Sequence, residues 1–219
     1  MTFSKKQANI FSPTPEHDLL RETVRAMAKK EIEPGALERD REEKFDLQLF
    51  RSLGELGLLG ITVSEEYGGS SMDAVAAVIA HEELSAIDPG FCLAYLAHSM
   101  LCANNLNQNG SKEQKLAYLP KLCSGEWVGA MAMSEPDAGT DVLAMSTSAK
   151  KLTESYAING RKFWITNGAK DNNNTPCDLL FLYAKTGGLA DKKNISSFIV
   201  LGGQAGFSVG QKLKDKLGM

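Results

Sequence analysis

The sequence predicts an α+β protein with an all-helical bundle over residues 1–124 and a small antiparallel β-barrel or β-sandwich domain over residues 125–219. Before residue 124, apolar residues recur three or four positions apart, as on the buried face of a helix. From Trp127 onward they fall into short strand-like runs. Between two of these runs lies Asn159-Gly160, which favours a β-hairpin because both residue types tolerate positive φ.

Start and stop signals predict five helices in the first part of the chain. Most starts are polar caps, since Thr, Asp and Ser side chains accept hydrogen bonds from the first free N–H groups of a helix. The first helix is predicted to begin at Thr14-Pro15 and to end at Pro34-Gly35, and the second to begin at Asp46. The third is predicted over Asp73 to Ile87, and the fourth over Phe91 to Asn109 with Gly110 ending it. The fifth is predicted to begin at a capping box over Ser111–Gln114.

The second part of the chain contains six strand-like segments and one polar loop. The predicted strands are Trp127–Met133, the two arms of a hairpin within Tyr156–Ile165, Leu179–Tyr183, Ile195–Leu201 and Phe207–Leu213. Asn172–Pro176 is predicted to be a surface loop. The chain ends at Lys216–Met219 without a closing strand, which we interpret as a truncated β domain.

Composition excludes several classes of function. With 43% hydrophobic and 23% charged residues, the chain has the composition of an ordinary globular protein. A net charge of −3 argues against a nucleic-acid partner, and no apolar run reaches the ~20 residues that span a membrane. Four scattered cysteines and three histidines predict no metal site. We expect a cytoplasmic protein, or one of the mitochondrial matrix if a presequence has been removed.

Two segments have the residue types of a ligand site. Met133–Asp141 places hydroxyls, a proline and small residues after an apolar run, and Lys162–Gly168 places Trp164 beside Ile165 and Thr166. A planar ligand with phosphates needs an aromatic surface together with hydroxyl and backbone N–H donors. A polar loop and a core aromatic remain the alternatives. A zinc-protease motif is excluded because Ser85 stands where the second histidine is required.

These two segments resemble the flavin-binding signature of the acyl-CoA dehydrogenase family. The resemblance covers about residues 14–219, and its details are most similar to members that act on isovaleryl-CoA, a short branched-chain substrate. Further matches occur in family order, at Glu66-Tyr67-Gly68-Gly69, Glu82-Glu83-Leu84-Ser85, His98-Ser99, Gln114-Lys115, Tyr118-Leu119-Pro120 and Lys216-Leu217-Gly218-Met219.

The resemblance implies an FAD cofactor, an acyl-CoA substrate, an electron-transfer flavoprotein as electron acceptor and a homo-tetramer of the full-length protein. It implies that Trp164 lies against the isoalloxazine, Thr166 near N5 and O4, Ser134 at the pyrimidine end and Thr140 near the pyrophosphate. The implied cofactor-binding residues are Met131, Ala132, Met133, Ser134, Gly139, Thr140, Trp164, Ile165 and Thr166. The implied substrate-binding residues are Thr140, Tyr95 and Ser99, although core packing explains Tyr95 and Ser99 equally well.

The chain departs from the family in length. Family members are nearly twice as long and continue into a second helical domain, which supplies the catalytic glutamate. No residue here matches that glutamate, so no catalytic residue is assigned, and Glu135 is interpreted as a turn or cap residue. The prediction is an FAD-dependent acyl-CoA dehydrogenase whose 219-residue chain is inactive alone. The alternatives are a related flavin-dependent oxidase or monooxygenase, and a non-enzymatic truncated binding or assembly module.

Overall fold

The computed structural model of the chain describes residues 11, 13–171, 173–187 and 194–214. Helices occupy the described chain up to Cys123, and a five-stranded sheet follows. The order of a helical part followed by a β part is as predicted, whereas the topology of the sheet is not. Among the described residues, no helix is long and apolar enough to cross a membrane.

The first helix, α1 (Pro15–Met27), begins at the predicted cap, where the Thr14 hydroxyl accepts a hydrogen bond from the His17 N–H. Pro34 and Gly35 were predicted to end the first helix, and they lie in the 3-10 turn that separates its winding from the next helix. The chain passes through a π turn and a 3-10 turn directly into α2 (Ala36–Glu42). Pro34 lies in the first turn of the 3-10 segment, where its missing N–H breaks no hydrogen bond.

The next capping signals are confirmed. Helix α3 (Leu47–Glu55) begins after Asp46, and α4 (Ala74–Ser85) begins after Asp73, each aspartate accepting a backbone N–H of the first turn. Helix α7 (Lys112–Cys123) has both reciprocal hydrogen bonds of the predicted capping box. These helix starts depend on residues only three positions apart, so the sequence alone indicates them.

Replacing Asp46 by alanine should lower the free energy of unfolding by about 1 kcal/mol, because the Leu49 N–H loses its acceptor at 3.0 Å. The measurement is urea unfolding followed by circular dichroism. Asp46→Asn is the matched control, since its amide oxygen can accept the same hydrogen bond, and it should stay within a few tenths of a kcal/mol. Equal losses in the two variants would contradict a capping contribution.

The predicted fourth helix is continuous but changes its winding. It runs from α5 (Pro89–Leu96) through a π segment (Ala97–Asn104) into α6 (Asn105–Asn109). It starts two residues before the predicted Phe91, because Asp88 caps it by accepting the Phe91 N–H at 2.9 Å. The first half of this helix is buried, since Phe91, Cys92 and Tyr95 all have little exposed surface. Segments of π-helix often occur at functional sites.

The sheet is open and mixed, so the predicted antiparallel barrel or sandwich is wrong for the described residues. The strands are β1 (Gly129–Ala132), β2 (Ser148–Lys151), β3 (Tyr156–Asn159), β4 (Leu179–Lys185) and β5 (Ile195–Leu201). Strand β4 pairs antiparallel with β5 on one side, and parallel with β1 and with the end of β2 on the other. Strands β2 and β3 pair antiparallel.

The hairpin predicted at Asn159-Gly160 is also wrong. Asn159 ends β3 opposite Ser148, and residues 160–165 form no strand. The actual hairpin joins β2 to β3 through residues 152–155, and β2 was not predicted because its sequence, Ser-Ala-Lys-Lys, contains no large apolar or β-branched residue. Gly160 is needed for space, since a Cβ there would lie 2.3 Å from the Thr147 hydroxyl oxygen.

The end of the described chain differs from the prediction as well. Residues 207–213 were predicted as a strand, but they pair with no described strand, and Phe207 packs against the sheet instead. Among the predicted loop residues, 173 and 174 are exposed and 175 and 176 are partly buried, whereas Asn172 and the terminal Lys216–Met219 lie outside the described residues.

One apolar cluster joins the helices to the sheet. Its buried members are Val63, Tyr67, Cys102, Ala103, Leu106, Leu119, Leu122, Cys123, Leu179 and Phe181. Helical and strand residues therefore share one core at this point. The domain boundary predicted between residues 124 and 125 stays a prediction.

Candidate functional site

A pocket of about 1050 Å³ lies among α5, the sheet and residues 160–169. Leu180, Leu182 and Val200 contribute aliphatic surface from β4 and β5, and Leu93 and Ala94 contribute it from α5. This volume is at the upper end of the range for small-molecule and cofactor sites. No group of three or more potential metal-ligating side chains occurs within the described part of the chain.

The two segments singled out from the sequence lie against each other beside this pocket. The Phe163 N–H donates to the Ser134 carbonyl oxygen at 2.9 Å. The Lys162 ammonium donates to the Met133 carbonyl oxygen at 2.8 Å and to the Glu135 carboxylate at 2.9 Å. The two segments are therefore in direct contact, although the second is irregular and was predicted to be partly strand.

Glu135 is the centre of this contact. Its side chain is 3% exposed and accepts hydrogen bonds from the Ser146 N–H and hydroxyl, the Thr147 N–H and Lys162. Burial raises the pKa of Glu135, but the hydrogen bonds from Thr147, Ser146 and Lys162 outweigh burial and hold its pKa at about 2. A carboxylate this acidic is a poor proton acceptor, so Glu135 is a structural residue.

Trp164 presents a large aromatic surface to solvent at the pocket. Its side chain is 64% exposed, and its φ of +60° is unusual for a bulky residue. Its ring meets the Phe163 ring edge-to-face with centroids 5.0 Å apart. Ile165 and Thr166 line the same pocket, so the site contains an aromatic residue and a hydroxyl residue. This donor set suits a planar, hydrogen-bonding ring system.

The predicted cofactor-binding residues fall into two groups. Ala132, Trp164, Ile165 and Thr166 line the pocket. The second group lies outside the pocket lining and comprises Met131, Met133, Ser134, Gly139 and Thr140. Gly139 and Thr140 are on an exposed loop, and a Cβ at Gly139 would meet no atom within 4 Å. Contact of these five residues with the cofactor stays a prediction.

Tyr95 and Ser99 lie in the helical core. The Tyr95 hydroxyl donates to the Leu58 carbonyl oxygen at 3.1 Å, and the Ser99 hydroxyl donates to the Tyr95 carbonyl oxygen at 2.8 Å. Neither residue lines the pocket, whereas the adjacent Leu93 and Ala94 do. Contact of Tyr95 or Ser99 with a substrate stays a prediction. The helical period of α5 does not single out Ala94, because this helix is apolar nearly all round.

Family models cover most of the chain. The model described as "Acyl-CoA dehydrogenase, N-terminal domain" matches residues 14–126, and that described as "Acyl-CoA dehydrogenase, middle domain" matches residues 130–219. The chain belongs to the acyl-CoA dehydrogenase family. The resemblance seen in the sequence is thereby confirmed, and the helical region and mixed sheet are those of an acyl-CoA dehydrogenase fold.

Individual family members agree with this assignment. The mitochondrial isovaleryl-CoA dehydrogenase of Pongo abelii is 45% identical over 208 residues, covering 93% of this chain and 48% of that protein. An acyl-CoA dehydrogenase of Bacillus anthracis solved with FAD aligns with a TM-score of 0.80 and 35% identity, over 92% of this chain and 33% of that chain. FAD is thus the cofactor of solved relatives.

A third match is a structure described as the electron transferring flavoprotein of Acidaminococcus fermentans. Its TM-score is 0.85 at 35% identity, over 93% of this chain and 52% of that chain. The chain spans about half the length of the curated relatives it matches.

Proposed function

We propose that this chain is the part of an FAD-dependent acyl-CoA dehydrogenase that holds the flavin, in an enzyme that oxidises a short branched-chain acyl-CoA to its 2,3-enoyl form. The observation that supports this most strongly is the exposed Trp164 ring beside Thr166, in a segment bonded to Met133 and Glu135. The similarity to isovaleryl-CoA dehydrogenases supports the branched-chain substrate.

The residues present fit the flavin. Trp164 would orient the isoalloxazine and exclude water from one side of it, and the Thr166 hydroxyl and Ile165 backbone would donate hydrogen bonds to its polar edge. Ser134 would contact the pyrimidine end and Thr140 the pyrophosphate. FAD, when bound, supplies the acceptor for the hydride that leaves the substrate β-carbon. Donors aimed at that acceptor stabilise the charge that develops there.

We propose that the base that removes the substrate α-proton is not contributed by this chain. Glu135 lies beside the pocket but holds its negative charge in the contact with Lys162. The 219-residue chain would then bind FAD weakly and carry out no dehydrogenation by itself. Acyl-CoA turnover by the purified chain, measured with a dye as electron acceptor, would contradict this.

The remaining assignments are also proposals. We propose domains at residues 1–124 and 125–219, a homo-tetramer for the longer enzyme, and an electron-transfer flavoprotein as electron acceptor. The match to an electron transferring flavoprotein structure supports this acceptor. The cytoplasm, or the mitochondrial matrix, is the proposed location, as the names of mitochondrial relatives suggest for a eukaryotic source.

Replacing Trp164 by alanine should weaken FAD binding by about tenfold, equivalent to about 1.4 kcal/mol, because the flavin loses its aromatic partner. The measurement is quenching of FAD fluorescence during titration with the purified chain. Leu152→Ala is the control, since Leu152 is also an exposed apolar residue but lies in the β2–β3 turn outside the pocket lining. Equal affinities for the wild type and Trp164→Ala would contradict the proposed site.

The reaction type has a test of its own. Oxygen consumption with peroxide release would indicate an oxidase instead of a dehydrogenase.

A further inference from the structure

The Asn167 side chain joins the Trp164–Thr166 segment to the rest of the pocket. Asn167 is 8% exposed, and its amide nitrogen donates to the Ala94 carbonyl oxygen at 2.8 Å and to the Gly129 carbonyl oxygen at 3.4 Å. Both amide hydrogens therefore have a backbone acceptor inside the protein. Because these bonds are shielded from water, solvent cannot easily replace them.

The two acceptors belong to different walls of the site. Ala94 lies in α5, three residues before the start of the π segment Ala97–Asn104. Gly129 is the first residue of β1, which leads into the first motif at Met133. One amide group thus connects the aromatic segment to the pocket helix and to the strand that carries the other motif.

The position requires two properties that asparagine combines. Its φ is +62°, a left-handed conformation that asparagine and glycine adopt more readily than other residues. Glycine would keep this backbone but donate no side-chain hydrogen bond. Aspartate would keep the shape, but its carboxylate would face the carbonyl oxygens of Ala94 and Gly129, where donors are needed.

Trp164 makes such an anchor necessary. A tryptophan at positive φ is strained, and strained backbone persists where surrounding contacts hold it in place. Asn167 follows three residues later, and the Gly168 N–H donates to the Ile165 carbonyl oxygen at 3.0 Å, which closes a turn containing Thr166 and Asn167. We propose that Asn167 is a positioning residue that fixes Trp164 and Thr166 for flavin binding. The flavin part of this proposal rests on the proposed function; the anchoring part does not.

The experiment uses a Trp127→Phe background, because the chain has two tryptophans and this substitution leaves Trp164 as the only one. The fluorescence anisotropy decay of Trp164 and the Kd for FAD are then measured for Asn167→Asp and Asn167→Gly. Asn109→Asp is the matched control, because the Asn109 amide also donates to a backbone oxygen, that of Asn105 at 3.0 Å, but on the exposed surface. Circular dichroism at the measurement temperature verifies that each variant is folded.

We expect Asn167→Asp to lower the residual anisotropy of Trp164 and to weaken FAD binding by about tenfold, the equivalent of one lost hydrogen bond to a buried acceptor. Asn167→Gly should show a smaller change in the same direction, and Asn109→Asp should show none. Loss of global stability alone would not move the anisotropy of a folded chain, so this readout separates anchoring from folding.

Each outcome supports or overturns the proposal. If Trp164 has the same anisotropy in Asn167→Asp as in the wild type, Asn167 does not anchor Trp164. If Asn167→Asp binds FAD with wild-type affinity, Asn167 does not contribute to flavin binding. If Asn167→Asp fails to fold, Asn167→Gly decides the same two comparisons. If the wild-type chain binds no FAD, the flavin part fails together with the proposed function, and the anisotropy still decides whether Asn167 anchors Trp164.

Discussion

Replacing Glu135 by glutamine should lower the free energy of unfolding by about 3 kcal/mol, because the substitution leaves the Lys162 charge buried without its partner. The two side chains are 3% and 7% exposed and lie 2.9 Å apart. For a chain of this size the melting temperature should fall by about 6–12 °C. The measurement is thermal and urea unfolding of the purified chain, with Glu154→Gln in the exposed β2–β3 turn as the control.

The pH dependence of stability gives an independent readout for Glu135. Its folded-state pKa of about 2 lies below the unfolded value near 4.5, so the unfolded state binds more protons between these values. The stabilisation is therefore complete above about pH 4.5 and is lost as the pH falls toward 2. The Glu135→Gln variant should show a flatter decline of stability than the wild type over this window. Parallel curves for the two proteins would contradict the assigned ionised pair.

Replacing His98 by leucine should lower the free energy of unfolding by about 4 kcal/mol, because two buried backbone groups lose their partners at about 2 kcal/mol each. The fully buried His98 ring accepts the Gly129 N–H at Nδ1, at 2.9 Å, and donates from Nε2 to the Leu122 carbonyl oxygen, at 3.0 Å. His98→Gln is the matched control, since its amide offers one acceptor and one donor. A His98→Leu variant as stable as His98→Gln would contradict this explanation.

His98 should also make the protein less stable in mild acid. Burial lowers its pKa to about 4, against the smaller opposing effect of its hydrogen bond to Leu122, while the unfolded value is near 6.5. The neutral ring is favoured in the fold, so its stabilisation is present above about pH 6.5 and is lost as the pH falls toward 4. Urea unfolding at pH 7 and pH 5 should show a larger difference for the wild type than for His98→Gln.

Local signals and long-range contacts explain which elements could be predicted. Asp46, Asp73 and Ser111 mark helix starts because each side chain bonds to a backbone group within three residues. The Asn159-Gly160 hairpin was predicted from the same kind of local signal, but here the glycine is present because Thr147 approaches it closely. Sequence spacing carries no information about such an approach across the sheet.

In the candidate site, too, local signals could be recognised in the sequence, whereas long-range contacts could not. Trp164 and Thr166 could be recognised because an aromatic and a hydroxyl residue in one short segment have a direct chemical use. Asn167 belongs to the Lys162–Gly168 segment, yet Ala94, whose carbonyl oxygen accepts its hydrogen bond, lies 73 residues away. This hydrogen bond therefore could not be inferred from the sequence. The mixed sheet was missed for the same reason, because parallel pairing depends on strands that are distant along the chain.

The pairing of β1 with β4 also determines when the sheet can be completed. The Val128 N–H donates to the Asp178 carboxylate, 50 residues further along the chain, and β1 then runs parallel to β4. On a ribosome, β1 therefore emerges well before its partner exists, while the β2–β3 hairpin can close at once. Until β4 is synthesised, the π segment is the neighbouring element against which β1 can pack. We therefore expect the helices and the β2–β3 hairpin to form first, and the central sheet to close once β4 is available.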